Sequence, residues 1–314
     1  MKIVFFGTAN TALPILEKLH SKYEVLAVVT NPDAPFGRSG KMQESPVSAL
    51  AKDLNLTLLK PERVKGNTEF LNQLEALAAD IYIVVAYGKI LPSEIINLPK
   101  LKTINVHFSV LPKYRGPSPI QFTLLNGDKQ TGTSIFILDE KVDNGLLLSQ
   151  KIVDIESDDN YFTLSDRLAK ISSDLILETL EDYSNGKITP LPQDESRVTF
   201  TKIISKQDGK IDFTKSADEI YNQFRAFFLW PGIWTTWNGK ILKIVDCVTT
   251  ELQTQDTTDA YRCGEVLQGG IIVCGNKTYL QIKTLQLEGK NETDLSSFLN
   301  GYKEFIGTNL ITNK

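Results

Sequence analysis

The sequence is poor in cysteine and histidine, and it has no long hydrophobic run. Cys247, Cys263 and Cys274 are its only cysteines. The number is odd and no two stand at C-x-x-C spacing, which argues against a zinc or redox pair. They are expected to be small buried residues with free thiols. His20 and His107 are the only histidines in 314 residues. No cluster of metal-ligand type is visible, so no metal is expected. No apolar stretch approaches the roughly 20 residues of a membrane helix. The start, MKIVFFGTAN, lacks the basic region and cleavage site of a secretory signal and reads as a strand. These absences lead us to expect a cytoplasmic protein with no membrane partner; a monomer is expected. Charge of one sign is also scarce. A formal net charge of −4 gives no global attraction to nucleic acid. It leaves room for a local basic patch, which is all that phosphate contacts need.

What is present fits a globular chain long enough for two cores. KIVFF (2–6) reads as a strand, followed by a GTAN turn and a helix with Leu13, Leu16 and Leu19 on one face. The pattern repeats: strand 23–30, helix 45–54 with Ser45 as cap and Pro46 first, short strand 55–60, helix 67–78, strand 79–88, strand 101–108 and helix 118–127. Continuous apolar strands alternating with helices predict a mostly parallel, doubly wound α/β sheet of Rossmann-like type. Segments 131–140 and 145–155 then read as two antiparallel strands around a KVDN turn, and 161–183 as a long helix. The first domain is expected to span 1–185. Residues 186–204, polar and with two prolines, read as a linker. The second domain, 205–314, opens with a helix at 216–228 capped by Ser216. It continues in short strands with glycine turns, WNGK (237–240) among them. A small OB-like β-barrel is expected there.

In open α/β sheets ligands bind outside the carboxyl ends of the strands. Gly7-Thr8, Tyr87-Gly88 and Asn105-Val106-His107 all fall at such ends. Without a full G-x-G-x-x-G pattern, the Gly7 turn gives no ground for a dinucleotide site. Asn105 and His107 are two apart, so on an extended strand both side chains share a face. An amide and an imidazole there can donate to a carbonyl oxygen or move a proton. Asp143, in VDNGL, can bring a carboxylate to the same crevice. Spacing alone leaves structural alternatives open. A histidine at a strand end can be structural, and Asp143-Asn144-Gly145 is good turn sequence in its own right.

Beyond spacing, the stretch NVHFSVLPKYRGPSPIQ (105–121), followed by DEKVDNG (139–145), resembles the folate-dependent formyltransferases. FFGT (5–8), NPDAPFGRSGKMQESPV (31–47), VVAYGKILP (84–92), DGKIDF (208–213) and FRAFFLWPGIWTTWNGK (224–240) extend the resemblance over nearly the whole chain. It implies transfer of a formyl group from 10-formyltetrahydrofolate, as co-substrate, to the amino group of methionine on initiator tRNA. By position, Asn105, His107 and Asp143 match the family's catalytic trio. Ser109, Val110, Leu111 and Pro112 match its folate-contacting run. The backbone around Val85, Tyr87, Gly88, Ile90 and Leu91 is expected to line the pterin pocket. Departures are GTANTALP at the start, Val110 for a common leucine, Asn144 in the D-x-G turn, and Phe228-Leu229 before W-P-G.

The resemblance also assigns the loop PFGRSGKM (35–42), with Arg38 and Lys41, to the acceptor end of tRNA. From charge alone it reads as a solvated loop on flexible, glycine-rich backbone. Lys113 and Arg115 add charge beside the site, although Arg115-Gly116 has a structural alternative. Residues 205–314 hold 12 Lys and Arg against 13 Asp and Glu, so composition shows no basic face there. Lys206, Lys210, Lys240 and Lys243 are candidate contacts. Trp230-Pro231-Gly232 and Trp234 read as core or packing residues. Rival readings are a formyl transferase acting on an amino sugar nucleotide or a glycinamide ribotide, a module using water as acceptor, and an inactive folate- or RNA-binding protein.

Overall fold

The computed structural model describes residues 1–36, 40–252 and 261–311. They divide into two compact units. The first contains Met1–Pro119, Lys129–Ile155 and Thr163–Lys202; the second contains Ile120–Asp128, Glu156–Phe162 and Ile203–Lys314.

The first unit is built on seven strands: β1 (Lys2–Gly7), β2 (Glu24–Val29), β5 (Leu58–Leu59), β6 (Ile81–Val85), β7 (Thr103–His107), β8 (Gln130–Ile137) and β9 (Leu147–Asp154). Their order is β5-β2-β1-β6-β7-β8-β9. Pairing is parallel from β5 to β7 and antiparallel from β7 to β9. This is the mostly parallel sheet expected from the alternating strands and helices. A separate hairpin, β3 (Ala34–Phe36) with β4 (Lys41–Gln43), falls where a loop was expected.

Both faces of the sheet are covered. On one, Val4, Phe6, Tyr82 and Val84 pack with Phe70 and Leu74 of α3 (Thr68–Leu77) and with Ile95 and Ile96 of α4 (Ser93–Ile96). On the other, Ser172 of α6 (Tyr161–Ser184) donates to Thr133 Oγ1 of β8 at 2.8 Å. Lys18 of α1 (Leu13–Lys22) pairs with Asp174 of α6 at 2.8 Å. The cap expected at Ser45 is present: it accepts from the Ser48 amide at the start of α2 (Pro46–Asp53). Asn67 also caps, accepting from the Phe70 amide at the start of α3.

Residues 186–202 are not a free tether. Leu191 pairs with Leu147 and Phe200 with Arg115, so this stretch is hydrogen-bonded into the first unit. Conversely, 120–128 and 156–162 belong to the second. The stretch passes to the second unit between Lys202 and Ile203. The difference arises because a polar sequence with two prolines can make ladder bonds that its hydrophobicity does not announce.

The second unit carries one antiparallel sheet of six strands, β10 (Ile233–Trp237), β11 (Lys240–Thr250), β12 (Val266–Leu267), β13 (Ile271–Cys274), β14 (Thr278–Leu287) and β15 (Thr293–Asp294). The path is β10-β11-β14-β13-β12, with β15 beside β14. Among the described residues the ends of this path, β10 and β12, are not paired with each other. Asn238 and Gly239 both have positive φ, giving the two-residue turn that WNGK predicts. Helix α7 (Ala217–Ala226) starts in a capping box between Ser216 and Glu219. Trp237 is buried in an aromatic cluster with Phe298, Tyr302 and Phe305, at centroid distances of 5.4–5.8 Å. No described helix is long and apolar enough to cross a membrane.

Candidate active site

The parallel register decides where the polar strand ends meet. Gly7 lies opposite Val85, and Val85 opposite Val106. The carboxyl ends of β1, β6 and β7 are therefore adjacent, about 4.8 Å from strand to strand. Three chain segments that are distant in sequence converge at one edge.

Asn105 and His107 share a face of β7, as their spacing requires. Asn105 is half-buried and His107 buried. The His107 Nε2 atom lies 2.9 Å from the Tyr114 carbonyl. A carbonyl only accepts, so Nε2 carries the hydrogen. That leaves Nδ1 facing Asp143, 3.6 Å from its Oδ2. At 3.6 Å this is beyond hydrogen-bond distance, so Nδ1 is not committed to the carboxylate and has room for another partner. The ring also meets Phe136 edge-on at 6.5 Å.

Asp143 comes from the turn between β8 and β9, at φ +48°. Its Oδ2 accepts from the Gly116 amide at 2.7 Å, and its Oδ1 lies 3.5 Å from Asn105 Nδ2. One oxygen is thus anchored, and the other is loosely held, with capacity to accept a proton. Gly145 makes the turn possible: a Cβ there would stand 1.7 Å from the Ile137 carbonyl oxygen. The structure brings Asn105, His107 and Asp143 together.

The run Ser109 to Pro112 is fixed by a hydroxyl hub. Ser134 Oγ donates to the Ser109 carbonyl at 2.6 Å and accepts from the Leu111 amide at 3.0 Å. Gln150 Nε2 donates to both Ser134 Oγ and the Leu111 carbonyl. Val110 is half-buried; Ser109, Leu111 and Pro112 are buried. Val110 presses close to Gly132, where a Cβ would meet Val110 Cγ2 at 2.9 Å and the Lys151 carbonyl oxygen at 2.2 Å.

Val85, Tyr87 and Leu91 are buried, whereas Gly88 and Ile90 are exposed. The Tyr87 ring packs edge-on against Phe6 at 5.6 Å. Burial pushes its hydroxyl up to about 12. Its carbonyl accepts from Thr8 Oγ1 and Asn31 Nδ2, each at 3.0 Å. Lys89 turns back to the Pro61 and Glu62 carbonyls, and burial lowers its pKa.

Arg115 is not a surface charge. It is 3% exposed, and its guanidinium is taken up by Gln193 and Glu195. The hydrogen bond from Arg115 holds the Glu195 carboxyl below its ordinary range. Lys113 remains exposed. Arg38 lies outside the described residues. Lys41 begins β4, paired with Phe36, so the described part of this loop is a hairpin. Lys206, Lys210, Lys240 and Lys243 are all exposed. Trp230 departs from its core reading: it is 58% exposed, next to Leu229 at φ +74°. Trp234 is half-buried and donates to the Lys206 carbonyl.

All three cysteines lie in the second unit as free thiols. Burial raises the pKa of Cys247 and pushes that of Cys274 up to about 12. The described residues include no metal-binding group of three or more His, Cys, Asp or Glu. Sequence reasoning missed Ser134, Gln150 and Gln193. All three are single polar residues on strands or in the apparent linker, and nothing in their neighbourhood marks them.

The sequence profile described as "Formyl transferase" matches residues 1–180, and that described as "Formyl transferase, C-terminal domain" matches residues 203–303. The methionyl-tRNA formyltransferase of Caldicellulosiruptor saccharolyticus is 41% identical over 308 residues, covering 96% of this chain and 97% of that protein. That of Caldanaerobacter subterraneus subsp. tengcongensis is 40% identical, covering 98% and 99%. Among solved structures, an N-formyltransferase from Helicobacter canadensis, in complex with folinic acid and dTDP-3-aminofucose, superposes with a TM-score of 0.67. It is 20% identical and covers 90% of this chain and 98% of its own; at that identity the likeness is one of fold. With both profiles matched and relatives near 40% identity over almost their full length, the chain belongs to the formyl transferase family, among the methionyl-tRNA formyltransferases.

Proposed function

We propose that the protein transfers the formyl group of 10-formyltetrahydrofolate to the amino group of methionine carried by initiator tRNA, in the cytoplasm and as a monomer. The observation that carries this reading is the convergence of Asn105, His107 and Asp143 at the carboxyl edge of the sheet. They stand beside the loop that follows β6 and beside the ordered run Ser109–Pro112.

The geometry supports direct transfer. The neutral amine of methionine attacks the formyl carbon, and the new C–N bond gives a tetrahedral species with a negative oxygen. Asn105 Nδ2 donates to that oxygen, with His107 Nδ1 beside it as the ring atom that can hold or pass a proton there. Nε2 is committed to Tyr114, so Nδ1 is the ring atom with this role. The loosely held Oδ1 of Asp143 takes the amine proton, directly or through water. The C–N10 bond then breaks as that proton reaches N10, releasing tetrahydrofolate. Holding both substrates in one crevice contributes the proximity term. Ser109, Val110, Leu111 and Pro112 bound the folate side, with the backbone from Val85 to Leu91 opposite. Arg38 and Lys41 are assigned to the tRNA acceptor end.

An acceptor screen tests the reading. Purified protein is given 10-formyltetrahydrofolate with initiator Met-tRNA, an amino sugar nucleotide, glycinamide ribotide or water alone. Formylation of Met-tRNA alone is expected. Turnover on another acceptor with none on Met-tRNA would overturn the reading.

A further inference from the structure

Asp143 has a demanding position. It is a non-glycine residue at positive φ, in a turn that must present its carboxylate to His107. Such backbone persists only when surrounding contacts over-determine it. The contact responsible comes from an unexpected place. Gln193 is 8% exposed and sits in the stretch that reads as a linker. Its Nε2 donates at 2.9 Å to the Asp143 carbonyl and at 2.9 Å to the Gly145 carbonyl. One amide group therefore grips the turn on both sides of Asn144.

The other end of the same amide is equally committed. Gln193 Oε1 accepts from Arg115 Nε at 3.1 Å and Nη2 at 2.8 Å. Arg115 is held by its backbone as well: its amide donates to the Thr199 carbonyl, and its carbonyl accepts from the Thr201 amide. Tyr114 N donates to Thr199 Oγ1. The stretch 193–201 thus bonds to both segments whose polar atoms face the histidine ring nitrogens. Through Thr199 and Thr201 it sets the Tyr114 carbonyl on Nε2 and the Gly116 amide on Asp143. Through Gln193 it sets the turn that carries Asp143.

We infer that Gln193 is a positioning residue of the reaction: oriented by the buried Arg115 guanidinium, it fixes the Asp143 turn and so the carboxylate facing His107 Nδ1. The amide is the group this task requires. Only a side chain with an acceptor at one edge and a two-hydrogen donor at the other serves an arginine and two carbonyls together. A carboxylate would satisfy Arg115 but set negative oxygen against the two carbonyls. The inference rests on the proposed function, since it needs Asp143 to act in transfer.

The test compares Gln193→Met and Gln193→Glu, each in the natural protein and in the Asp143→Asn background. Formylation is measured by steady-state kinetics. In the natural background Gln193→Met is expected to lower kcat by about 10- to 100-fold, as displacement of a reacting group by a fraction of an ångström to an ångström does. KM for folate and for Met-tRNA should change by less than about threefold. In the Asp143→Asn background the further loss should be less than about twofold, because residues acting as one unit are not additive. For Gln193→Glu the deficit relative to wild type should shrink as pH falls, since a protonated carboxyl regains an O–H donor. An unchanged kcat in both variants overturns the inference, and so does a full further loss in the Asp143→Asn background. Failure of both variants to fold assigns Gln193 to stability instead and also overturns it. A wild-type protein inactive on Met-tRNA would refute the functional reading, whereas an active wild type with indifferent variants refutes only the positioning role.

Discussion

Gly145→Ala is the substitution whose effect the structure specifies most tightly. An added Cβ would lie 1.7 Å from the Ile137 carbonyl oxygen and 2.9 Å from its carbon, where real contacts are essentially never below 3.0 Å. Both close atoms are backbone of β8, so no side chain can swing aside. The turn must shift by about 1.3 Å to reach 3.0 Å. That movement pulls the Gly145 carbonyl from Gln193 Nε2 and carries Asp143, two residues away, with it. A misplacement near 1 Å is associated with roughly a 10²-fold loss of rate, and overpacking a tight site costs about 1–3 kcal/mol of stability. We expect kcat for formylation to fall about 100-fold, with a lower Tm and KM changed by much less. Steady-state kinetics with a thermal melt on the same preparation reads all three. A folded variant with kcat within about threefold of wild type would refute the reasoning. The turn would then tolerate the shift, and the position of Asp143 would not limit the reaction.

Three further outcomes follow from particular contacts. Asn105→Ala removes the proposed donor to the oxyanion and is expected to lower kcat by about 10²–10³-fold, measured with saturating folate and Met-tRNA. Ser134→Ala leaves the Leu111 amide and the Ser109 carbonyl without their shared hydroxyl. A stability loss of about 1–3 kcal/mol by denaturant titration is expected, with KM for folate raised more than KM for Met-tRNA. Burial pushes Tyr82, Tyr87 and Cys274 up to about 12, from ordinary values of 10.0, 10.0 and 9.0. The folded state therefore holds these protons more tightly than the unfolded chain. Stability should be insensitive to these groups below pH 9.0 and should fall progressively from there toward about 12, which a pH series of thermal melts checks.

Much of the architecture could be read from local patterns. Continuous apolar strands, the Ser45-Pro46 helix start and the Asn238-Gly239 turn each carry their own signal, because burial, capping and positive φ restrict which residues serve. The placing of Asn105 beside His107 followed from a two-residue strand period. What brings Asp143 to them was not legible by spacing. Its approach depends on the β7–β8 register and on a turn held by a glutamine 50 residues away. For Arg115 the sequence leaves two readings open, charge beside the site and a structural role; only the tertiary fold supplies Gln193 to receive the guanidinium. The stretch 186–202 looked like a linker because its work is done by backbone groups and single polar side chains, which leave no hydrophobic period. Trp230 reads as a core or packing residue, yet it is 58% exposed, which no local pattern announces.

The central claim is that Asn105, His107 and Asp143 act together in formyl transfer to Met-tRNA. Single-turnover formylation of initiator Met-tRNA by the wild-type protein and by Asn105→Ala, His107→Ala and Asp143→Ala tests it most directly. The account predicts rapid formation of formyl-Met-tRNA by the wild type and rates at least about 100-fold lower in each folded variant. Rates near wild type in all three would contradict it.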